Sequence, residues 1–500
     1  MKKWALIAIA VLFLAACGDV EVESYEVEIY EEESQEEISY EEISQKVESQ
    51  EESFGIQHFL DDLDYILHVL ETNFALFDVA YWARGADISA IGENARQTIL
   101  DDPYMDVDGF YNVFLQHFAP LLNIGHLNII DPAAHLRFHN NPRIYPHSVL
   151  TEAASARLRY PHVMAFYEPR HHIAANTAIE EIVAHQLGFM TERQIQMFFV
   201  DRAVLYGEEQ LAEDLARALA DSNYDEAVGL IIAIMRAINN TPNVVTEIIE
   251  EGRIARLAVS SFMLHEQWPY FEQQIFGFYD EIRDFDHLII DMRRNTGGDM
   301  QFFYNKIMAP NIAETHTGEG FAFLKMGDYA AEHTTNLYRR EFTWRVGIRS
   351  DDRQVSPIAQ MLEEFDLPEF RQEDTERLEY GFRTVTIVRA RPMARFDNQP
   401  AFGGKIWMLT GEMMGSSAQI SAWLSKDTGF ATLVGDITGG VCGGPLTMVA
   451  LPNTGILFQM DVFYVTDRYG RPLEAGTVPH YFNREGMDAL ETVLSIINYQ

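Results

Sequence analysis

The chain has 500 residues, with 76 Asp and Glu against 37 Lys and Arg, and a formal net charge of −39. This acidic balance argues against nucleic-acid binding, which needs a basic face. Only two cysteines are present, and neither a zinc-type Cys/His spacing nor a phosphate-loop glycine pattern occurs. We therefore expect no disulfide framework, no metal and no organic cofactor.

The first 16 residues carry the features of a targeting signal. Lys2 and Lys3 precede an apolar stretch, residues 5–14, that is too short for a stable membrane span. Residues 14–17 (LAAC) resemble a bacterial lipobox. The resemblance implies that residues 1–16 are removed and that Cys17 carries lipid, which would anchor the chain to the extracytoplasmic face of a bacterial cell membrane. An ordinary signal peptide with an incidental cysteine is the alternative.

Four further segments are predicted in chain order. Residues 17–53 are Glu-rich and of low complexity, and we expect an acidic, disordered linker that buries no core. Residues 54–130 contain helical apolar patterns near 59–74 and 110–122, which predict an N-terminal helical subdomain. Residues 131–243 are predicted to be a mostly helical insertion, and residues 244–500 to be the catalytic core.

The core segment repeats a unit of strand, glycine turn and helix. Residues 287–292 form an apolar run typical of a strand buried on both faces, and Gly297 and Gly298 follow it. Residues 405–410 predict another strand, followed by a linker and a helix over 417–426. Residues 430–434 predict a third strand, which ends in a glycine turn. This pattern predicts an α/β fold with its functional loops on one edge of the sheet.

Ser416 stands at the start of the helix that follows the strand 405–410. A helix N-terminus offers free N–H groups and a positive dipole end, which can hold a developing oxyanion beside a nucleophile. Gly297, Gly298 and the N–H of Ser417 are candidate oxyanion donors. The alternatives are that Ser416 is a plain N-cap and that the glycines only permit tight turns.

A serine nucleophile needs a base. Lys426 lies about three turns along the same helix, too far to act on the hydroxyl. His126 follows Gly125 at the junction between a helix and the strand-like residues 127–130, so it can project into a cleft. Glu474 is a candidate acceptor for the other imidazole nitrogen. A structural histidine and a solvated glutamate are the alternatives.

Four blocks, taken in order, resemble the tail-specific, or C-terminal-processing, serine peptidases with a tricorn-type core. They are residues 121–127 (LLNIGHL), 288–298 (LIIDMRRNTGG), 415–419 with 433–440 (GSSAQ, LVGDITGG), and 451–456 with 473–479 (LPNTGI, LEAGTVP). The resemblance implies a ClpP/crotonase-like α/β core, with Ser416 as nucleophile and His126 as base. It also implies that Glu474 orients His126. The lysine of the Ser–Lys branch would stand at Val441, so the His-based branch is implied.

Three positions depart from the family pattern: Gln419 replaces Glu, Asp436 replaces Glu, and His480 replaces Asp. The leading hypothesis is a serine endopeptidase that hydrolyses protein or peptide substrates at the extracytoplasmic membrane surface. Gln419 lies one helical turn from Ser416, which leaves a catalytically impaired peptide- or solute-binding lipoprotein on the same fold as the alternative. An α/β-hydrolase esterase is disfavoured because its Gly-x-Ser-x-Gly elbow is absent, and Ser417 stays an alternative nucleophile.

Overall fold

The computed structural model describes residues 54–140, 152–176, 183, 195–263, 267–338, 355–371, 373, 377–391, 393–441 and 446–498. Cys17 and the acidic linker lie outside the described residues, as does Cys442. Within the described ranges, no helix combines the length and the apolar composition needed to cross a membrane.

The described helices are short to medium in length. In chain order they are α1 (Ile56–Asn73), α2 (Phe77–Arg84), α3 (Ile88–Asp101), α4 (Val107–His117), α5 (Pro132–Asn140), α6 (Glu152–Arg157), α7 (Pro161–Asn176), α8 (Arg202–Leu205), α9 (Glu209–Ala220), α10 (Tyr224–Asn239), α11 (Trp268–Glu281), α12 (Met300–Phe302), α13 (Asp328–Tyr338), α14 (Ile358–Glu364), α15 (Ser416–Asp427) and α16 (Ala489–Asn498). Two π-helical segments, Gln196–Asp201 and Phe303–Met308, precede α8 and follow α12, and 3₁₀ turns cover Ala309–Asn311, Ala394–Phe396 and Leu473–Ala475.

The strands form three sheets. They are β1 (Asn128–Ile129), β2 (Val244–Glu250), β3 (Ile254–Val259), β4 (His287–Asp291), β5 (His316–Leu324), β6 (Ser356–Pro357), β7 (Tyr380–Val388), β8 (Lys405–Thr410), β9 (Thr432–Gly435), β10 (Thr447–Ala450), β11 (Leu457–Met460), β12 (Tyr464–Asp467) and β13 (Tyr481–Phe482). The sheet orders are β13-β9-β8-β4-β3-β2, β12-β5-β7-β6 and β1-β11-β10.

The six-stranded sheet is parallel except at β2, which pairs antiparallel with β3. Leu288 and Ile290 of β4 belong to the core shared with α11 and α15, whereas Ile289 belongs to the core shared with α16. Both faces of the sheet are therefore covered, which explains the continuous apolar run of β4. The predicted α/β fold class is confirmed.

The two antiparallel sheets were not predicted from the sequence. Their residues share one hydrophobic core with the N-terminal helices, as the contact between the rings of Phe114 and Phe458 at 6.0 Å illustrates. Residues 54–130 therefore share their core with strands of the C-terminal half instead of forming a core of their own.

Residues 195–239, called the helical unit below, have a separate core. Phe199, Leu215 and Ile231 belong to it, and α9 packs on α10. The preceding helices α5 and α7 contribute Phe138 and Tyr167 to the larger N-terminal core instead. The predicted helical insertion 131–243 is thus divided between two hydrophobic cores.

Candidate active site

Three loops meet at the carboxyl edge of the six-stranded sheet. The loop after β4 carries Gly297, the loop after β8 leads to Ser416, and the loop after β9 contains Gly440. Gly415 and Gly440 form an isolated parallel bridge. Ligands of open α/β sheets bind in the crevice outside the carboxyl ends of parallel strands, so this edge is the candidate site.

Ser416 has a backbone conformation that L-amino acids rarely adopt. Its φ is +49°, and its N–H donates to the carbonyl oxygens of Gly440 at 3.1 Å and Val441 at 3.0 Å. The N-cap of α15 is Gly415. Ser416 is therefore not a plain helix cap, which was the alternative interpretation of its position. A non-glycine residue in this region costs free energy and persists only where its surroundings impose it, which is frequent at functional sites.

Gly297 packs directly against the turn that carries Ser416. Its φ is +112°, and a Cβ at this position would lie 2.9 Å from the Ser416 Cβ, 3.0 Å from the Gly415 carbonyl oxygen and 3.1 Å from the Ser417 nitrogen. Only glycine therefore permits this close approach of the two loops.

The two glycines after β4 differ in what their N–H groups do. The Gly297 N–H donates to Asn295 Oδ1 at 2.8 Å and is thus already used. The Gly297 carbonyl accepts the Phe262 N–H at 2.9 Å, and because the peptide is trans, the Gly298 N–H points to the opposite side. Among the described residues, neither the Gly298 N–H nor the Ser417 N–H donates a hydrogen bond. These two groups are therefore available as oxyanion donors.

The Ser417 hydroxyl is occupied. It donates to the Gly298 carbonyl oxygen at 2.6 Å, and the residue is buried. This hydrogen bond ties the start of α15 to the glycine loop. It favours Ser416 over the alternative nucleophile Ser417.

A short strand pairing brings His126 to a buried carboxylate. β1 pairs antiparallel with β11, with Asn128 opposite Gln459. His126 lies in the turn just before β1, with a φ of +52°, and its Nδ1 is 2.7 Å from Oδ2 of Asp461, the residue directly after β11. The Asp461 N–H also donates to the Gly125 carbonyl oxygen at 2.6 Å. Backbone and side chain together fix the imidazole.

The partner of His126 Nδ1 corrects the sequence-based expectation for Glu474. That carboxylate accepts the Gly125 N–H through Oε1 at 3.2 Å, whereas Asp461 accepts from the imidazole. The physical reason is the pairing of β1 with β11, which brings the turn before β1 next to Asp461, the residue directly after β11. Asp461 was missed, although a carboxylate within the largely apolar run 456–464 is a signal of a buried, functional acid.

Opposing effects set the pKa of His126. Burial lowers it, but the charge of Asp461, its hydrogen bond and the charge of Glu474 together raise the pKa above the usual 6.5. The imidazole side chain remains 17% exposed, whereas the Asp461 side chain is fully buried. A buried carboxylate acceptor of this kind stabilises the imidazolium that forms when the ring accepts a proton.

Gly440 and Glu474 connect the Ser416 turn to the His126 loop. Gly440, which accepts the Ser416 N–H, has a φ of +74°, and a Cβ on it would lie 2.2 Å from the Glu474 carbonyl oxygen. Glu474 in turn accepts the N–H of Gly125, the residue before His126. The structure therefore gathers the predicted residues Ser416, His126 and Glu474 into one neighbourhood.

Residues 253–482 match the model of Peptidase family S41. This segment belongs to peptidase family S41. This confirms the predicted resemblance to the tail-specific serine peptidases, and three of the four sequence blocks lie within the matched range. Membership supports a protease function with protein or peptide substrates.

Solved structures that match this chain include a candidate peptidase from Parabacteroides merdae, mature CPAF and the photosystem II D1 C-terminal processing protease. Their sequence identities to this chain are 12%, 13% and 12%, and their TM-scores are 0.46, 0.46 and 0.29. The matches cover 89%, 85% and 49% of this chain and 97%, 92% and 50% of those chains. No curated protein matches the sequence.

Gln419, the departure nearest to Ser416, connects three segments of this candidate site. It is fully buried, and its Nε2 donates to the Leu473 carbonyl oxygen at 3.1 Å and to Thr477 Oγ1 at 3.0 Å. Its Oε1 accepts the hydroxyl of Thr438. The amide therefore joins α15 to the segment of Glu474 and to the loop after β9, using donors and an acceptor that a carboxylate cannot supply together.

We expect Gln419→Glu to lower the free energy of unfolding by about 1–3 kcal/mol at pH 7, because a carboxylate oxygen would face the Leu473 carbonyl without a donor. Burial raises the pKa of a carboxyl group. The protonated form, which can donate, therefore favours the fold, and the loss should shrink as the pH falls towards the ordinary carboxyl range. Denaturant unfolding at several pH values measures this. Gln399→Glu, the same change at an exposed position, is the control. Equal and pH-independent stabilities of both variants would contradict the expectation.

The other two departures, His480 and Asp436, make defined hydrogen bonds, as do Val441 and Lys426. Val441 stands where the Ser–Lys branch has its lysine, and its carbonyl accepts the Ser416 N–H. Lys426 Nζ donates to the Val478 carbonyl oxygen at 2.7 Å, His480 Nδ1 accepts the Leu433 N–H at 2.9 Å, and Asp436 accepts from Asn483 at 2.8 Å. In the described part of the chain, no three His, Cys, Asp or Glu side chains are grouped so that they could hold a metal ion.

Proposed function

We propose that the protein is a serine endopeptidase in which Ser416 is the nucleophile, His126 is the general base and Asp461 orients the base. The observation that carries the proposal is the hydrogen bond between His126 Nδ1 and Asp461 Oδ2 at 2.7 Å, in a loop that is joined to the Ser416 turn through Glu474. A buried carboxylate on Nδ1 leaves Nε2 to accept a proton, which is the arrangement that activates a serine hydroxyl.

In this mechanism Ser416 Oγ attacks the carbonyl carbon of the peptide, and His126 Nε2 takes its proton. The carbonyl electron pair moves to the oxygen, which accepts hydrogen bonds from the N–H groups of Gly298 and Ser417. The imidazolium then gives its proton to the leaving amine as the C–N bond breaks. Water hydrolyses the acyl-enzyme by the same steps, with His126 again accepting a proton.

Asp461 accepts the hydrogen bond from His126 Nδ1 throughout and keeps that proton in place. The role of Glu474 in this proposal is to hold Gly125 and to add negative charge near the imidazolium. The role of Gly297 is steric, because its own N–H is given to Asn295. The oxyanion site is thus assigned to Gly298 and Ser417, out of the three residues expected from the sequence.

The site of action is proposed to be the extracytoplasmic membrane surface. The lipobox at residues 14–17 and the acidic stretch that follows it support this assignment. Loss of the protein from the membrane fraction on Cys17→Ser is the expected result, and unchanged membrane association would contradict lipid anchoring.

The proposed function predicts that Ser416→Ala and His126→Ala each lower kcat/KM for peptide cleavage by about 10⁴-fold or more. The reason is that removing one member of a catalytic unit costs about as much activity as removing all of its members. Cleavage of unfolded proteins and peptides, with labelling by an active-site serine reagent, measures this. Ser89→Ala, at an exposed position of α3, is the matched control. Equal activity in all variants would refute the assignment. Peptide binding by a wild type that neither cleaves nor labels would favour the non-catalytic binding lipoprotein.

A further inference from the structure

Arg294 joins the helical unit, residues 195–239, to the glycine loop of the site. Arg294 lies three residues before Gly297, and its Nε donates to the Leu205 carbonyl oxygen at 2.8 Å while Nη2 donates to the same oxygen. Its guanidinium carbon lies 4.3 Å from the centroid of the Tyr206 ring. The contact is therefore a two-donor hydrogen bond combined with a cation–π interaction.

The helical unit offers a site that suits a cation. The π-helical segment and α8 run without a break from Gln196 to Leu205, and the carbonyls of residues 202–204 accept N–H groups of residues 206–208. The Leu205 carbonyl accepts from Arg294 instead. Arg294 thus lies at the negative end of this helix dipole, where the last carbonyls need donors.

On its other side, Arg294 continues into the segment that shapes the oxyanion site. Asn295 Nδ2 donates to the Val259 carbonyl oxygen at 3.1 Å, and Asn295 Oδ1 accepts the Gly297 N–H at 2.8 Å. A displacement of Arg294 would be passed to Asn295 and then to the peptide that presents the Gly298 N–H. The side chain before Arg294 is independently held, since Arg293 pairs with Asp291.

The helical unit has a hydrophobic core of its own, separate from the cores that flank the sheet. Such a unit can shift as a body, so the Arg294 contact can form or break without unfolding either side. We propose that Arg294 is a positioning residue through which the helical unit holds the oxyanion loop in its productive shape. The proposal rests on the proposed function, because it assigns the Gly298 N–H to the oxyanion.

The test compares wild type with Arg294→Ala, Arg294→Lys and Tyr206→Ala. Arg294→Ala is expected to lower kcat by about 10–100-fold with KM changed less than about threefold, since the N–H donor acts in the transition state. Lysine keeps the charge but not the planar two-donor geometry, so it should restore only part of kcat. Tyr206→Ala should lower kcat in the same direction by less. Arg217→Ala, an exposed arginine of the helical unit, is the control.

Amide hydrogen exchange of residues 295–299 gives a second readout that needs no catalysis. In Arg294→Ala we expect it to be at least about tenfold faster than in wild type, with an unchanged Tm. An unchanged kcat, an effect on KM alone, or exchange that rises only in residues 202–206 would overturn the proposal. If wild type itself shows no peptidase activity, the proposed function fails, while the exchange of 295–299 still decides whether Arg294 holds the loop.

Discussion

Replacing Gly297 by alanine is expected to lower kcat/KM for peptide cleavage by about 10³-fold. The new methyl group would lie 2.9 Å from the Ser416 Cβ and 3.1 Å from the Ser417 nitrogen, and the φ of +112° disfavours any side chain. The glycine loop or the Ser416 turn must then move, which displaces the nucleophile from the N–H donors. Loss of one oxyanion donor alone costs about 10²–10³-fold in rate. Steady-state kinetics and the rate of labelling by a serine reagent measure the effect.

Gly411→Ala is the matched control for this prediction. Gly411 begins the linker to Ser416, yet a Cβ there would meet its nearest neighbour, the Arg293 side chain, at 3.7 Å, an ordinary contact. We expect its activity to stay within about twofold of wild type. Equal activities of the Gly297→Ala and Gly411→Ala variants would show that the packing of Gly297 on the Ser416 turn does not matter for catalysis.

The local parts of this site could be predicted from the sequence. The strand predicted over residues 405–410 coincides with β8, and the helix predicted over 417–426 differs from α15 by one residue at each end. An apolar run buried on both faces, a glycine-containing linker and an amphipathic helix are all encoded within some twenty neighbouring residues. The helix start at Ser416 and the glycines after a core strand made these residues candidates, and the resemblance to the peptidase blocks then selected them.

The acceptor for His126 could not be predicted in this way. It depends on β1, a strand of two residues, which pairs with β11 more than 300 positions further along the chain. Two residues carry no periodicity, so the sequence alone predicts neither this pairing nor the contact between the residues that flank it. The same long-range pairing explains why residues 54–130 were expected to form a separate subdomain. Their apolar helix faces are evident in the sequence, but the strands that cover them are not.

Asp461→Asn is expected to lower kcat/KM by about 10³–10⁴-fold, in the range known for removal of the orienting carboxylate of a serine protease. Asparagine retains the size of the side chain but not its charge, so the imidazolium loses its partner. The pKa of His126 should also fall, because burial, which lowers it, would no longer be outweighed by Asp461. Catalysis needs the neutral imidazole, so activity rises as the pH passes the His126 pKa. The acid limb of the pH–rate profile should therefore move to lower pH.

The Glu474→Gln variant distinguishes the contribution of Glu474 from that of Asp461, the other carboxylate near His126. The amide oxygen can still accept the Gly125 N–H, so only the charge is lost. Because Glu474 contributes less than Asp461 to the raised pKa of His126, the acid limb should move in the same direction by a smaller amount. The fall in kcat/KM should also be smaller, since Nδ1 keeps its acceptor. A larger loss of kcat/KM in Glu474→Gln than in Asp461→Asn would assign the orienting role to Glu474. The hydrogen bond between His126 and Asp461 would then stabilise the β1–β11 junction more than it supports the reaction.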